Sequence, residues 1–97
     1  ACEGNPRFLE RIFTEREREY CFKFNNPYEH LAVRFAGKEA AFKALGHRIS
    51  WKDVEILNEA SGKPNVFIKN LDKDISVQIS LSHNRDLAGA IVILEKG

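Results

Sequence analysis

A carboxylate and an ammonium group stand four residues apart near the middle of the chain, at Glu39 and Lys43. Because residues at that spacing lie one above the other on a helix, the two side chains share a face if the segment is helical. A carboxylate binds a hard cation, and a lysine neutralises a phosphate beside it. Phe35 precedes Glu39 by four, so the stripe begins apolar and ends charged. The pattern predicts either a structural ion pair or a site that handles charge.

Arginine and histidine side chains supply further candidates for binding anions. A guanidinium such as that of Arg34 pairs bidentately with phosphate, and the alternative here is a plain surface arginine. His83 ends a strand-like segment, where a turn or capping role is the alternative to binding. Lys38 is predicted to be an exposed helix lysine, and a phosphate contact is the alternative. Arg7 and Arg11 belong to a stretch of interleaved arginines and glutamates, which is either a solvated helix or a docking surface for an acidic partner.

Three helices are expected to carry most of these residues. Pro6 follows an asparagine and predicts a first helix, and residues 14–17 match a capping box that restarts it. Pro27 follows another asparagine and opens a helix that is expected to run to Leu45. Gly46 is expected to end that helix in the left-handed conformation.

The second half of the chain changes to the two-residue period of strands. Short strands are predicted at 53–56 and 66–68, with a turn at 61–64 between them. Residues 75–81 alternate strictly between apolar and polar, which predicts a half-exposed strand. Residues 87–94 are nearly all apolar or small, which predicts a central strand covered on both faces. Helices followed by hairpins indicate an α+β fold, with N-terminal helices packed on a mainly antiparallel sheet.

Length and composition indicate one globular domain, residues 1–97. Hydrophobic residues make up 43% of the sequence and charged residues 30%, which is typical of such domains. The net charge of +1 gives no case for a nucleic acid or a membrane surface as partner. No apolar run approaches the roughly 18–20 residues that cross a bilayer. Cys2 and Cys21 lack a metal-ligand spacing, and we expect reduced thiols in the cytosol, with a single disulfide as the alternative. We expect no signal peptide.

Four segments, in order along the chain, carry a resemblance to a known family. Residues 35–46, Phe-Ala-Gly-Lys-Glu-Ala-Ala-Phe-Lys-Ala-Leu-Gly, resemble the signature of the 4'-phosphopantetheinyl transferases, and the bacterial holo-acyl-carrier-protein synthase branch fits best. Residues 7–14 resemble that branch's helix before the signature. Residues 61–64, Ser-Gly-Lys-Pro, are similar to its Gly-Lys-Pro turn, and residues 79–83 to its late strand that ends in Ser-His. The Lys-Glu-x-x-x-Lys core alone is a weak signal, but the ordered matches cover essentially the whole chain.

This resemblance implies a phosphopantetheinyl transferase fold and a magnesium-dependent transferase. In the reaction that the resemblance implies, a serine hydroxyl of apo-acyl carrier protein attacks the pyrophosphate of coenzyme A, which gives holo-acyl carrier protein and adenosine 3',5'-bisphosphate. The resemblance also implies Mg2+ as cofactor, a homotrimer with coenzyme A bound between neighbouring subunits, and a cytoplasmic location. A non-catalytic module that binds coenzyme A or a carrier protein on the same scaffold is the alternative.

The resemblance further implies a role for each matching residue. Glu39 matches the family's magnesium-binding glutamate. Lys43 matches the lysine near the reacting phosphate, where it offsets charge or assists proton transfer. Arg34 matches an arginine that contacts the adenosine 3'-phosphate. The remaining matches are to residues that bind a coenzyme A phosphate (His83, with Ser82 nearby), to the turn on which adenine rests (Gly62, Lys63, Pro64) and to positions that dock the acidic carrier protein (Arg7, Arg11).

The family's opening strand, whose aspartate is a second magnesium ligand, finds no match in this sequence. Glu3 is the nearest acid, and it is not assigned as a ligand because it lacks the apolar neighbours of a strand. The domain is therefore predicted to lack its first strand, which would leave a sheet edge unpaired. A magnesium site held by one carboxylate is expected to be weak until coenzyme A phosphates complete it.

Overall fold

The structure, a computed structural model, describes residues 6–47, 49–83 and 88–96. Three helices come first and two strand pairs follow, after a short 3-10 turn at Trp51–Asp53. The helices are α1 (Pro6–Ile12), α2 (Glu15–Cys21) and α3 (Pro27–Leu45), and the strands are β1 (Val54–Asn58), β2 (Pro64–Ile68), β3 (Ile75–His83) and β4 (Ala88–Lys96). Within the described ranges, no helix combines the length and apolar character needed to cross a membrane.

The helix boundaries follow from local caps. Oγ1 of Thr14 accepts a hydrogen bond from the Glu17 backbone N–H at 3.2 Å, and the Glu17 carboxylate accepts one from the Thr14 N–H at 2.9 Å. This reciprocal pair is the capping box that starts α2. Pro27 lies in the first turn of α3, and Gly46 ends that helix with a φ of 81°, in the left-handed region. The predicted restart and the predicted end are confirmed, while Asn5 lies outside the described residues.

Both strand pairs are antiparallel hairpins. β1 pairs with β2, with Ile56 opposite Val66, and β3 pairs with β4, with Ile79 opposite Val92. Among the described residues these hairpins form separate two-stranded sheets. Both contribute apolar side chains to a core that α3 shares. The fully or nearly buried members of this core are Ala41, Phe42, Val54, Ile56 and Ile68. Helices packed on antiparallel strands confirm the predicted α+β class.

The prediction that the last strand is covered on both faces is wrong. Ile91 is 63% exposed and Ile93 is 49% exposed, whereas Val92 and Leu94 pack against the core. β4 pairs only with β3 in the described part of the chain, and α3 packs against it. The face of β4 that carries Ile91 and Ile93 is therefore apolar but exposed in the single chain.

α3 lies close to both hairpins at Gly37. A β-carbon added at this position would lie 2.6 Å from Cδ1 of Ile56 in β1 and 3.2 Å from Cδ2 of Leu81 in β3. Because packed interiors leave little free space, a larger residue would force one of these side chains to move. Because Gly37 has no side chain, β1 and the end of β3 can pack closely against the middle of α3, two residues before Glu39.

Candidate active site

Glu39 and Lys43 are both exposed on α3 and line one open cavity. The cavity has a volume of about 370 Å³, and its other lining residues are Phe42, Gly46 and His47. Within the described part of the chain, no ion pair joins Glu39 to Lys43. The structural ion pair that the spacing left open is therefore not formed, and both charged groups face solvent.

His47 is a cavity residue to which the sequence reasoning assigned no role. It follows Gly46, whose left-handed conformation ends α3. The chain thereby keeps His47 beside the last turn of the helix, where it lines the same cavity as Glu39 and Lys43. A histidine directly after a left-handed helix terminator, four residues beyond Lys43, was the signal available in the sequence.

The prediction that Lys38 is exposed is wrong, because its side chain is fully buried. Its Nζ lies 2.9 Å from Oε1 of Glu17. The same ammonium donates hydrogen bonds to the carbonyl oxygens of Trp51, at 2.9 Å, and of Val54. Burial lowers the pKa of Lys38 below its ordinary value of 10.5, and the Glu17 carboxylate opposes that shift. Lys38 therefore ties α2, α3 and β1 together, and it does not reach the cavity that Glu39 lines.

Arg34 has only 1% of its surface exposed, so the alternative of a surface arginine is wrong. Its Nε donates a hydrogen bond to the Ile56 carbonyl at 3.1 Å. One Nη donates to the His30 carbonyl at 3.1 Å, and the other donates to Oδ1 of Asn58. The Tyr20 ring covers the guanidinium, with 4.8 Å between Cζ and the ring centroid. These bonds oppose direct contact with a phosphate, and the contact implied by the resemblance stays a prediction.

Three helix side chains form hydrogen bonds to the backbone groups of β1 that point away from β2. They are Arg34, Lys38 and Glu17. The Val54 carbonyl accepts from Lys38, and the Ile56 carbonyl accepts from Arg34. The Ile56 N–H donates to Oε2 of Glu17 at 2.8 Å. An edge strand otherwise leaves such groups without partners. Because all three side chains come from helices, they fix the position of β1 relative to α2 and α3.

The predicted turn at residues 61–64 is present between β1 and β2. Gly62 has a φ of 93°, in the left-handed region that favours glycine, and its N–H donates to the Glu59 carbonyl at 2.8 Å. The Glu59 N–H donates to the Lys63 carbonyl, also at 2.8 Å, and Pro64 begins β2. Gly62 and Lys63 are exposed. The interpretation as a tight hairpin turn is confirmed, and the role of this turn in holding adenine stays a prediction.

Ser82 and His83 are the last two residues of β3, and their backbones pair with Gly89 and Ala88 of β4. Leu81, the residue before them, contacts the position of Gly37 on α3. The backbone therefore brings the end of β3 to the helix that carries Glu39. The side chains of Ser82 and His83 lie outside the description, so their roles stay predictions.

Arg7 and Arg11 are exposed on α1 and stand four residues apart. That spacing places them on one face of the helix, while Leu9 and Ile12 are buried. An exposed arginine pair fits an acidic partner, and docking of a carrier protein stays a prediction. Glu3 lies outside the described residues.

The described residues contain no cluster of three or more His, Cys, Asp or Glu side chains that could hold a metal ion. Of these residues, Glu39 alone brings a carboxylate to the cavity. Mg2+ is usually bound by one or two carboxylates together with phosphate oxygens and water. This donor set fits magnesium that binds together with phosphate groups, and it does not fit a cage made by the protein alone.

Two antiparallel hairpins on a long helix, with an exposed Glu–Lys pair in an open cavity, define a small α+β domain with a charged surface site. The family model for the 4'-phosphopantetheinyl transferase superfamily matches residues 2–92. The chain belongs to the 4'-phosphopantetheinyl transferase superfamily.

Curated relatives and solved structures agree with this assignment. The holo-[acyl-carrier-protein] synthase of Chloroherpeton thalassium is 48% identical to this chain, covering 94% of it and 81% of the relative. That of Caldanaerobacter subterraneus is 43% identical, covering 98% and 83%. The Bacillus anthracis holo-(acyl-carrier-protein) synthase, in complex with CoA (3',5'-ADP), superposes with a TM-score of 0.84 at 36% identity, covering 94% and 82%. The Helicobacter pylori synthase in complex with coenzyme A gives a TM-score of 0.80 at 30% identity, covering 92% and 82%.

Proposed function

We propose that this chain transfers the 4'-phosphopantetheine group from coenzyme A to a serine of apo-acyl carrier protein. The products are holo-acyl carrier protein and adenosine 3',5'-bisphosphate. One observation carries the proposal: Glu39 and Lys43, which match the family signature, both face solvent in one cavity. The Chloroherpeton thalassium and Caldanaerobacter subterraneus relatives, at 48% and 43% identity, bear the name of this activity.

The proposed reaction exchanges the phosphoanhydride bond of the coenzyme A pyrophosphate for a phosphate ester to the serine. The serine Oγ forms a bond to the phosphorus that carries pantetheine, and the bond from that phosphorus to the bridging oxygen breaks. The bridging oxygen leaves with adenosine 3',5'-bisphosphate, and the serine proton is released. Because negative charge rises on the phosphate oxygens, the Lys43 ammonium stabilises the transition state. Positioning of the two substrates supplies much of the remaining acceleration.

Magnesium is part of the proposal, with Glu39 as its protein ligand. The exposed carboxylate would hold the ion together with coenzyme A phosphate oxygens and water. When bound, the ion would neutralise phosphate charge and orient the pyrophosphate. Because one carboxylate binds magnesium weakly, we expect the affinity for magnesium to rise when coenzyme A is present.

Coenzyme A is proposed to contact the remaining matched residues. The turn formed by Gly62, Lys63 and Pro64 would support the adenine ring, and Ser82 with His83 would bind a phosphate group. Arg34 is buried against β1, so its bonds support an indirect effect on this ligand.

The acidic carrier protein is proposed to dock on α1 through Arg7 and Arg11. Exposed charges of this kind act mainly on the rate of encounter and on its salt dependence. Replacing both arginines by glutamate should raise the KM for the carrier protein and leave the KM for coenzyme A unchanged. An equal rise in both KM values would contradict docking at this face.

A homotrimer in the cytoplasm completes the proposal. The exposed Ile91 and Ile93 on β4 support an assembly that covers this face, since apolar patches commonly mark interfaces. The free, buried thiol of Cys21 is compatible with a reducing compartment.

The test is to incubate the protein with coenzyme A, magnesium and apo-carrier protein and to identify the modified serine by mass spectrometry. Glu39→Gln and Lys43→Ala should abolish most of the transfer. Lys52→Ala, which changes an exposed lysine outside the cavity, is the matched control and should retain it. Binding of coenzyme A without transfer would support the non-catalytic module instead.

A further inference from the structure

We infer that Asn58 is the positioning residue for the 61–64 turn, and that Arg34 acts on coenzyme A through Asn58. The inference rests on the proposed function, because it assigns the adenosine part of coenzyme A to this turn. Asn58 ends β1 and stands between the buried guanidinium of Arg34 and the exposed glycine of the turn. Neither family signature nor spacing singles it out in the sequence.

The orientation of the Asn58 carboxamide follows from its two partners. A guanidinium carries only donors, so the amide oxygen must face Arg34. That leaves the amide nitrogen to donate to the Gly62 carbonyl, at 2.8 Å. The Gly62 carbonyl can only accept a hydrogen bond. If the amide were flipped, its oxygen would face this carbonyl and its nitrogen would face Arg34, and neither end would have a partner. One side chain thus connects a buried cation to the turn in a single defined direction.

The inner end of this connection is held firmly. Besides Asn58, the Arg34 guanidinium donates to the carbonyls of His30 and Ile56 and stacks on Tyr20. Arg34 lies on α3, five residues before Glu39. The chain of bonds therefore sets the position of the adenosine turn relative to the helix that carries the proposed magnesium ligand.

The outer end is an exposed turn that needs such support. Gly62 adopts a φ of 93°, and the remaining bonds of the turn are local. They join Glu59 to residues 61–65, and the Lys63 N–H to Oγ of Ser61 at 3.5 Å. A turn that is ordered before the ligand arrives binds more tightly, because less conformational freedom is lost on binding. Loss of the Asn58 bond should therefore weaken the binding of coenzyme A and leave the chemical step intact.

Two substitutions at one position separate positioning from folding. Asn58→Ala removes both bonds. Asn58→Asp keeps an acceptor for Arg34 but loses the donor to the Gly62 carbonyl, so the buried cation retains its partner. Ser76→Ala is the matched control, since it removes an exposed side-chain hydrogen bond, 3.3 Å to the Glu95 carbonyl, in the other hairpin.

The readouts are the KM for coenzyme A, kcat, and calorimetric binding of adenosine 3',5'-bisphosphate alone. We expect Asn58→Ala and Asn58→Asp each to raise KM and the dissociation constant by about 5- to 10-fold, the effect of one lost hydrogen bond. We expect kcat to change less than about twofold and Ser76→Ala to match the wild type. The thermal midpoint of Asn58→Asp should stay close to that of the wild type.

Three results decide the matter. Unchanged KM in both Asn58 variants of an active protein overturns the inference and leaves the proposed function standing. A wild-type KM for coenzyme A in Asn58→Asp, with a raised KM in Asn58→Ala, also overturns the inference, because Asn58 would then act only as a partner for Arg34. Absence of transfer in the wild type removes the proposed function, while calorimetry with adenosine 3',5'-bisphosphate still tests the turn.

Discussion

Nζ of Lys38 lies 2.9 Å from Oε1 of Glu17, and both side chains are fully buried where α2, α3 and β1 meet. The pair also supplies hydrogen bonds to the backbone of β1, through the Val54 carbonyl and the Ile56 N–H. Because successive helix residues are turned by about 100°, an inward Lys38 directs Glu39 and Lys43 away from the core. The buried pair thus sets which face of α3 the proposed active site uses.

Replacing the lysine of this pair while keeping Glu17 should strongly destabilise the protein. Lys38→Met leaves the Glu17 carboxylate buried without its cation, and such changes cost about 3–5 kcal/mol of unfolding free energy. Urea unfolding followed by circular dichroism measures the difference. Arg16→Ala is the control, since the Arg16–Glu55 pair spans 3.5 Å and the Arg16 side chain is 72% exposed; it should cost less than about 1 kcal/mol. An equal loss of unfolding free energy in the two variants would show that the buried pair stabilises the protein no more than the exposed pair does.

Gly37→Ala should destabilise the protein by about 1 kcal/mol, as overpacking of about 1–3 kcal/mol outweighs the better helix propensity of alanine. The new methyl would meet Cδ1 of Ile56 at 2.6 Å. Ile56→Val removes that atom, so the double variant should lose less stability than the two single variants added together. Urea titration of the three variants completes the cycle. Strict additivity would mean that the clash with Ile56 is not the cause.

The thiol of Cys21 should make stability fall at alkaline pH. Burial raises its pKa from the ordinary value of 9.0 to about 11, with Arg34 opposing and Glu17 adding to the shift. A pKa that is higher in the folded protein gives stability that is complete below pH 9 and is lost as the pH rises to about 11. Two pKa units correspond to about 3 kcal/mol.

The measurement is the difference in unfolding free energy between the wild type and Cys21→Ala, taken from pH 7 to pH 11. This difference cancels the contribution of other titrating groups, including Lys38. We expect it to be constant up to about pH 9 and to shift against the wild type above that. A difference that stays flat to pH 11 would mean that the thiol titrates alike in the folded and unfolded chains.

The exposed face of β4 should be needed for assembly. Ile91→Thr combined with Ile93→Thr removes apolar surface that is 63% and 49% exposed in the single chain. Sedimentation velocity should show a shift from the proposed trimer to the monomer. Phe22→Ser changes another exposed apolar residue, at the end of α2, and should leave the oligomer intact. An unchanged sedimentation coefficient in the double isoleucine variant would place the interface elsewhere.

Local signals in the sequence were sufficient for most element boundaries. The capping box at Thr14 and Glu17 requires only four neighbouring residues, and the left-handed end at Gly46 requires one. The alternation over residues 75–81 predicted β3 for the same reason. The exposed Glu39 and Lys43, at one helical turn of spacing, were also readable as a pair, although the cavity that they line was not.

The fate of the other charged residues on α3 depended on partners distant along the chain. Arg34 and Lys38 are buried because the backbone of β1, 16 to 22 residues later, supplies their acceptors. Helical periodicity shows which residues share a face, but it does not show what that face meets. The same applies to Asn58, whose two bonds join α3 to a turn, and to His47, which reaches the cavity through the geometry of Gly46. Charged side chains are buried where folding brings complementary groups to them, and that complementarity arises only when the helices and hairpins have packed together.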